Sequence, residues 1–110
     1  MLFANVNDFY DRVKKMERLS RDEEKRNALL MQAGNLEARE RIVESYMHQV
    51  ASHIKRMSGD HQSLELVYRC VQALEKAVDS FDFEQDGETF THRLSFVLRQ
   101  ESVRYIADRS

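Results

Sequence analysis

Leu64-Glu65-Leu66-Val67-Tyr68-Arg69-Cys70-Val71-Gln72-Ala73-Leu74-Glu75-Lys76-Ala77-Val78-Asp79-Ser80-Phe81 is the stretch that decides the fold. Leu64, Val67, Val71, Leu74, Val78 and Phe81 recur at alternating intervals of three and four, which returns a side chain to one face of an α-helix. The spacing predicts a helix over residues 63–81. Upstream, Val43, Met47, Val50, Ile54 and Met57 make a second such stripe, with Ile42 and Tyr46 beside it. That predicts a helix over 36–57, ended by Ser58-Gly59-Asp60. Two apolar stripes joined by a short connection are expected to pack as an antiparallel pair.

Working outward, Ser20-Arg21-Asp22-Glu23 has the form of a capping box, in which Ser20 and Glu23 satisfy each other's backbone N–H groups. A short helix follows to about residue 32, with Gly34 suited to its C-terminus. Before it, Phe9, Val13 and Met16 predict a helix over 6–19. After the central pair, residues 82–88 read as an acidic loop containing Gly87, and a last helix is expected over 89–108. The fold class is therefore all-α: a compact single-domain bundle of four to five helices.

The 110 residues suffice for one small domain and its core. Proline is absent and glycine occurs three times, which favours long helices over a turn-rich β fold. Cys70 is the single cysteine, so no internal disulfide forms, and a reducing cytoplasmic location is expected. No signal-peptide pattern and no apolar run of membrane-spanning length is present. The net charge of −2 argues against a nucleic-acid binder held by bulk positive charge, so any DNA contact is expected from a local patch or with a partner.

Three stretches carry a resemblance. Leu19-Ser20-Arg21-Asp22-Glu23-Glu24, followed by Ala33-Gly34-Asn35-Leu36-Glu37-Ala38-Arg39-Glu40-Arg41-Ile42-Val43-Glu44-Ser45, is the first. Leu64-Glu65-Leu66 with Ala73-Leu74-Glu75-Lys76-Ala77-Val78-Asp79-Ser80-Phe81-Asp82 is the second. Phe90-Thr91, Leu98-Arg99-Gln100 and Arg104-Tyr105-Ile106-Ala107-Asp108 form the third. In this order they resemble region 2 of the sigma-70 family of bacterial RNA polymerase sigma factors, with the segment just before it. The resemblance runs from about Leu19 to Asp108. It implies a division into an extra N-terminal helix (1–18), a pre-region-2 helix (19–35) and a region 2-like core (36–110).

The resemblance further implies two surfaces. Glu65, Tyr68, Arg69, Gln72 and Glu75 would dock on the coiled coil of the core RNA polymerase β′ subunit. Phe90, Arg93, Phe96, Val97, Arg99, Gln100 and Arg104 would contact single-stranded promoter DNA, the non-template strand of the −10 element. Both surfaces depart from the family pattern. Tyr68-Arg69-Cys70-Val71 stands where the family has Gln-Glu-Gly-Asn, so Arg69 reverses the sign of an acidic contact. Phe96-Val97 replaces an aromatic pair, and Arg93 replaces the tyrosine before it. An unpaired base stacks on a flat aromatic face for ~1–3 kcal/mol, and only Phe96 and Phe90 remain for that. Phe90 reads more readily as a core residue, and Phe96 reads equally as core or contact.

The residues of the last helix support a contact face independently. Arg93, Gln100 and Arg104 fall within one narrow arc, with Val97 alongside and Phe96 flanking. Guanidinium groups, an amide and an aromatic ring suit a phosphate backbone and a base. A solvated helix face is the alternative. His48, His53, His61 and His92 lack metal-ligand spacing, and no catalytic constellation or phosphate loop is visible, so neither metal, cofactor nor enzymatic activity is expected. The functional expectation is a sigma-like initiation protein, either half of a split sigma factor whose second subunit supplies −35 recognition or an N-terminal fragment of a longer one. The alternative is a sigma-like protein-interaction module that regulates transcription without binding DNA. A helical bundle with an unrelated partner, or a homodimer, is a third reading.

Overall fold

A computed structural model of the chain describes residues 2–57, 59–84 and 89–109. Among them are five α-helices, α1 (Val6–Lys14), α2 (Arg21–Gln32), α3 (Leu36–Lys55), α4 (Leu64–Ser80) and α5 (Phe90–Asp108), with a short 3-10 turn at Gly59–His61. No strand occurs among the described residues.

Local chemistry sets the boundaries. Each helix starts behind a side chain that accepts a backbone N–H of its first turn: Asn5, Ser20, Asn35, Ser63 and Thr89. The capping box forms as the sequence predicts, with Glu23 N–H to Ser20 Oγ at 3.2 Å and Ser20 N–H to Glu23 Oε1 at 2.8 Å. The backbone and side-chain bonds from Ser20 hold the Glu23 carboxyl below its usual range. Gly34 adopts φ +94°, and the N–H groups of Gly34 and Asn35 bond back to the carbonyls of Met31 and Leu30. These bonds make a Schellman motif, which puts a residue in the left-handed region and so selects glycine.

The first helix is shorter than its apolar spacing predicts. It ends at Lys14, not near residue 19, because the following residues are drawn onto α3. His48 Nε2 donates to the Met16 carbonyl at 2.8 Å, and Leu19 N–H donates to Ser45 Oγ at 3.0 Å. The extended backbone that Ser20 needs as a cap completes the break.

The core is filled by Phe9 and Val13 of α1, Ile42, Met47, Val50 and Ile54 of α3, Leu66, Val67, Cys70, Leu74 and Val78 of α4, and Leu94, Leu98 and Tyr105 of α5. α3 and α4 run antiparallel: Arg39 near the start of α3 grips Asp79 near the end of α4 through bonds of 2.6 and 3.0 Å. Arg39 holds the Asp79 carboxyl below its usual range. The buried side of α4 is wider than its stripe predicts. Leu66, Cys70 and Ala77 join Val67, Leu74 and Val78, while Leu64, Val71 and Phe81 are only partly covered. α4 packs on α3 along one flank and on α5 along the other, so a third helix extends the arc beyond what one neighbour needs. Burial pushes the Cys70 thiol up to about 12, which leaves it an inert core group.

The predicted acidic loop lies mostly outside the described residues, since 85–88, with Gly87, are among those not described. Ser58, part of the predicted stop after α3, also falls outside.

Candidate functional site

α4 and α5 lie side by side and antiparallel, tied at both ends. At one end Phe90 sits against Phe81, ring centroids 5.1 Å apart. At the other, Arg109 donates to Glu65 at 2.9 Å. Tyr105 anchors the far half of α5. It is fully buried, its hydroxyl lies 2.7 Å from Ser63 Oγ at the N-cap of α4, and Arg69 and Arg109 stand over its ring.

This arrangement sorts the predicted DNA contacts. Phe90 leaves the set: at 2% exposure, packed among Tyr46, Phe81 and Phe83, it is a core residue with no face for a base. Phe96 is 56% exposed and is the one aromatic that α5 offers to solvent. Val97 is half-buried, and Arg99, Gln100 and Arg104 are exposed. Arg93 is half-buried, its guanidinium 5.9 Å from the centre of the Phe81 ring.

Arg99 stands apart from the Arg93–Gln100–Arg104 arc. It faces α3, where its charge and that of Arg56 reach His53. His53 is half-buried with Nε2 2.7 Å from Ser102 Oγ, and burial first, then the two arginines, lowers its pKa below the usual 6.5. Arg56, the C-cap of α3, therefore extends the basic character of α5 onto a second helix. The sequence carries no local signal for this, because it depends on how α3 and α5 pack.

The predicted polymerase contacts sort as well. Glu65, Gln72 and Glu75 reach the surface, with Glu65 paired to Arg109 and Glu75 3.8 Å from Arg39. Arg69 is not a free surface cation. It donates to Glu101 at 2.9 Å and to Asp108 at 3.1 Å. The sign reversal that the sequence places on α4 is thus answered inside the chain by acids of α5. Tyr68 is half-buried and accepts the Phe3 backbone N–H at 2.8 Å, so it is a packing residue as well as a surface one.

Gln72 and Lys76 of α4 and Val97, Gln100 and Arg104 of α5 line one shallow groove of about 300 Å³. Residues expected on two separate surfaces thereby share a seam. Among the described residues no group of three or more His, Cys, Asp and Glu side chains is placed to hold a metal ion. No helix among them is long and apolar enough to cross a membrane.

The protein class that this chain resembles is the bacterial RNA polymerase sigma factor. The chain is 32% identical over 112 aligned positions to the RNA polymerase sigma factor SigA of Listeria monocytogenes, and equally to SigA of Listeria innocua. Each match takes in 97% of this chain and 30% of the relative, so the chain spans less than a third of the curated relatives it matches. The likeness therefore reaches past Leu19 into α1, which the sequence motifs leave out. No protein-family model matches the chain.

Proposed function

We propose that the chain acts in transcription initiation as a sigma region 2-like unit that binds core RNA polymerase and the promoter −10 element. α4 supplies the polymerase contact through Glu65, Gln72 and Glu75, against the β′ coiled coil. α5 supplies the DNA contact. Phe96 offers a stacking face, Gln100 and Val97 meet a base edge, and Arg93, Arg99 and Arg104 take backbone phosphates. The observation that carries this reading is the seam between α4 and α5, where Gln72 and Lys76 meet Gln100 and Arg104. The likeness to SigA along nearly the whole chain supports it. With a net charge of −2, the chain alone binds DNA weakly, and polymerase supplies the rest of the grip.

Co-purification with core polymerase, followed by binding of a single-stranded −10 oligonucleotide to the complex, tests the reading. Arg104→Ala weakens that binding and lowers its salt dependence, while polymerase binding is unchanged. No polymerase in the pull-down refutes the proposal.

One observation favours a second reading, a sigma-like interaction module without a DNA role. With Phe90 in the core, Phe96 alone remains on α5 for stacking. A polymerase complex that ignores the oligonucleotide, and an Arg104→Ala variant without effect, decide for this reading.

A further inference from the structure

The segment ahead of α1 is held against the middle of α4. Phe3 is 6% exposed, stacks on Tyr68 with ring centroids 6.0 Å apart and planes 23° apart, and donates its backbone N–H to Tyr68 Oη at 2.8 Å. Phe9 meets its ring edge-on at 5.1 Å, and Arg12 stands over it at 4.9 Å while donating to the Leu2 carbonyl. Everything about Phe3 is fixed, whereas Leu2 beside it is 82% exposed.

Leu2 lies at the rim of a groove of about 370 Å³ between α3 and α4. Val43, Tyr68 and Val71 give it apolar walls, Glu40 and Glu75 give it two carboxylates, and among the described residues no basic side chain lines it. Arg39 comes within 3.8 Å of Glu75 but gives its short bonds to Asp79. Gln72 and Glu75, both assigned above to polymerase docking, line this groove beside Tyr68.

We propose that the N-terminal segment is part of the docking surface: Phe3, pinned to Tyr68, holds Leu2 at the groove as an apolar anchor for a partner helix carrying aliphatic and basic side chains. Resting on the polymerase-binding reading above, this adds a contact from outside α4. The charge of the groove selects the partner. A lysine or arginine can lay its aliphatic stem on Val71 and Leu2 and place its cation between Glu40 and Glu75. A segment that merely covered the groove would bury Leu2 in it, and Leu2 instead faces solvent.

The test is the affinity of the full chain for its cognate core RNA polymerase, with Leu2→Asp and Glu40→Lys variants. Leu2 and Glu40 are exposed, so neither change disturbs the core, and unchanged circular dichroism verifies that. Both variants are expected to bind about tenfold more weakly, the scale of an interface anchor. Leu2→Asp binding within twofold of the parent, or more tightly, overturns the inference while the polymerase reading stands. Tighter binding by Glu40→Lys overturns the basic partner chemistry. A parent chain that does not bind polymerase overturns this inference together with the reading it rests on.

Discussion

Replacing Ser63 and Tyr105 singly and together should reveal how firmly the end of α5 is bound to the start of α4. Tyr105 Oη and Ser63 Oγ are 2.7 Å apart, and Tyr105 is wholly buried. Ser63 Oγ also accepts the Leu66 N–H at 3.3 Å as the N-cap of α4. In Tyr105→Phe one neutral hydrogen bond is lost and Ser63 keeps its capping bond, so the cost is about 1 kcal/mol. In Ser63→Ala the cap is lost, for about 1 kcal/mol, and a buried tyrosine hydroxyl is stranded, for a further ~1–3 kcal/mol. The single alanine change therefore costs ~2–4 kcal/mol. In the double variant no hydroxyl is stranded, only the cap and the hydrogen bond are lost for about 2 kcal/mol, and the total falls short of the sum of the singles by ~1–3 kcal/mol. Urea unfolding followed by circular dichroism reads all three free energies on one scale. Additivity to within ~0.3 kcal/mol would refute the bridge.

Phe90→Ala is expected to destabilise the fold by ~3–5 kcal/mol, whereas Phe96→Ala changes stability by less than ~0.5 kcal/mol and weakens oligonucleotide binding by the polymerase complex. Thermal unfolding and a DNA-binding titration separate the two phenylalanines. Gly34→Ala forces an L side chain to φ +94° with open space around it, so it costs ~1–2 kcal/mol of backbone strain; Gly59→Ala, at a position with no positive φ, is close to neutral in the same melt. His53 titrates below 6.5 in the fold and near 6.5 when unfolded, so the unfolded chain takes up its proton first as pH falls. Stability is fully held above that value and declines as pH drops through the window beneath it; in His53→Gln the fall in melting temperature on acidification is shallower.

Features set by neighbours along the chain were legible in the sequence. The capping box at Ser20, the left-handed turn at Gly34 and the starts of α4 and α5 behind Ser63 and Thr89 each depend on residues within one turn. Contacts that join distant parts were not. Arg69 reads as an exposed cation until the antiparallel register of α4 and α5 brings Glu101 and Asp108 to it. Phe3 finds Tyr68 across 65 residues, and nothing local to either announces it. The width of the buried arc on α4 likewise depends on α5, which the stripe of α4 alone cannot encode. On α5 the Arg93–Gln100–Arg104 arc was legible from helical geometry. Phe90 already reads more readily as core than as contact, and the structure buries it, whereas the placement of Arg99 on the α3 flank needed the packing of the whole bundle.

The clasp of Glu65 by Arg109, and of Arg69 by Glu101 and Asp108, has a thermodynamic corollary. A newcomer that contacts either α4 charge competes with a counter-ion already in place, so it gains less than it would from an unpaired charge. What it gains is discrimination: only a surface presenting the right alternation of sign can make the exchange without leaving a charge stranded. The displaced tail of α5 would then be released from α4, and the two helices could not respond to such a visitor independently.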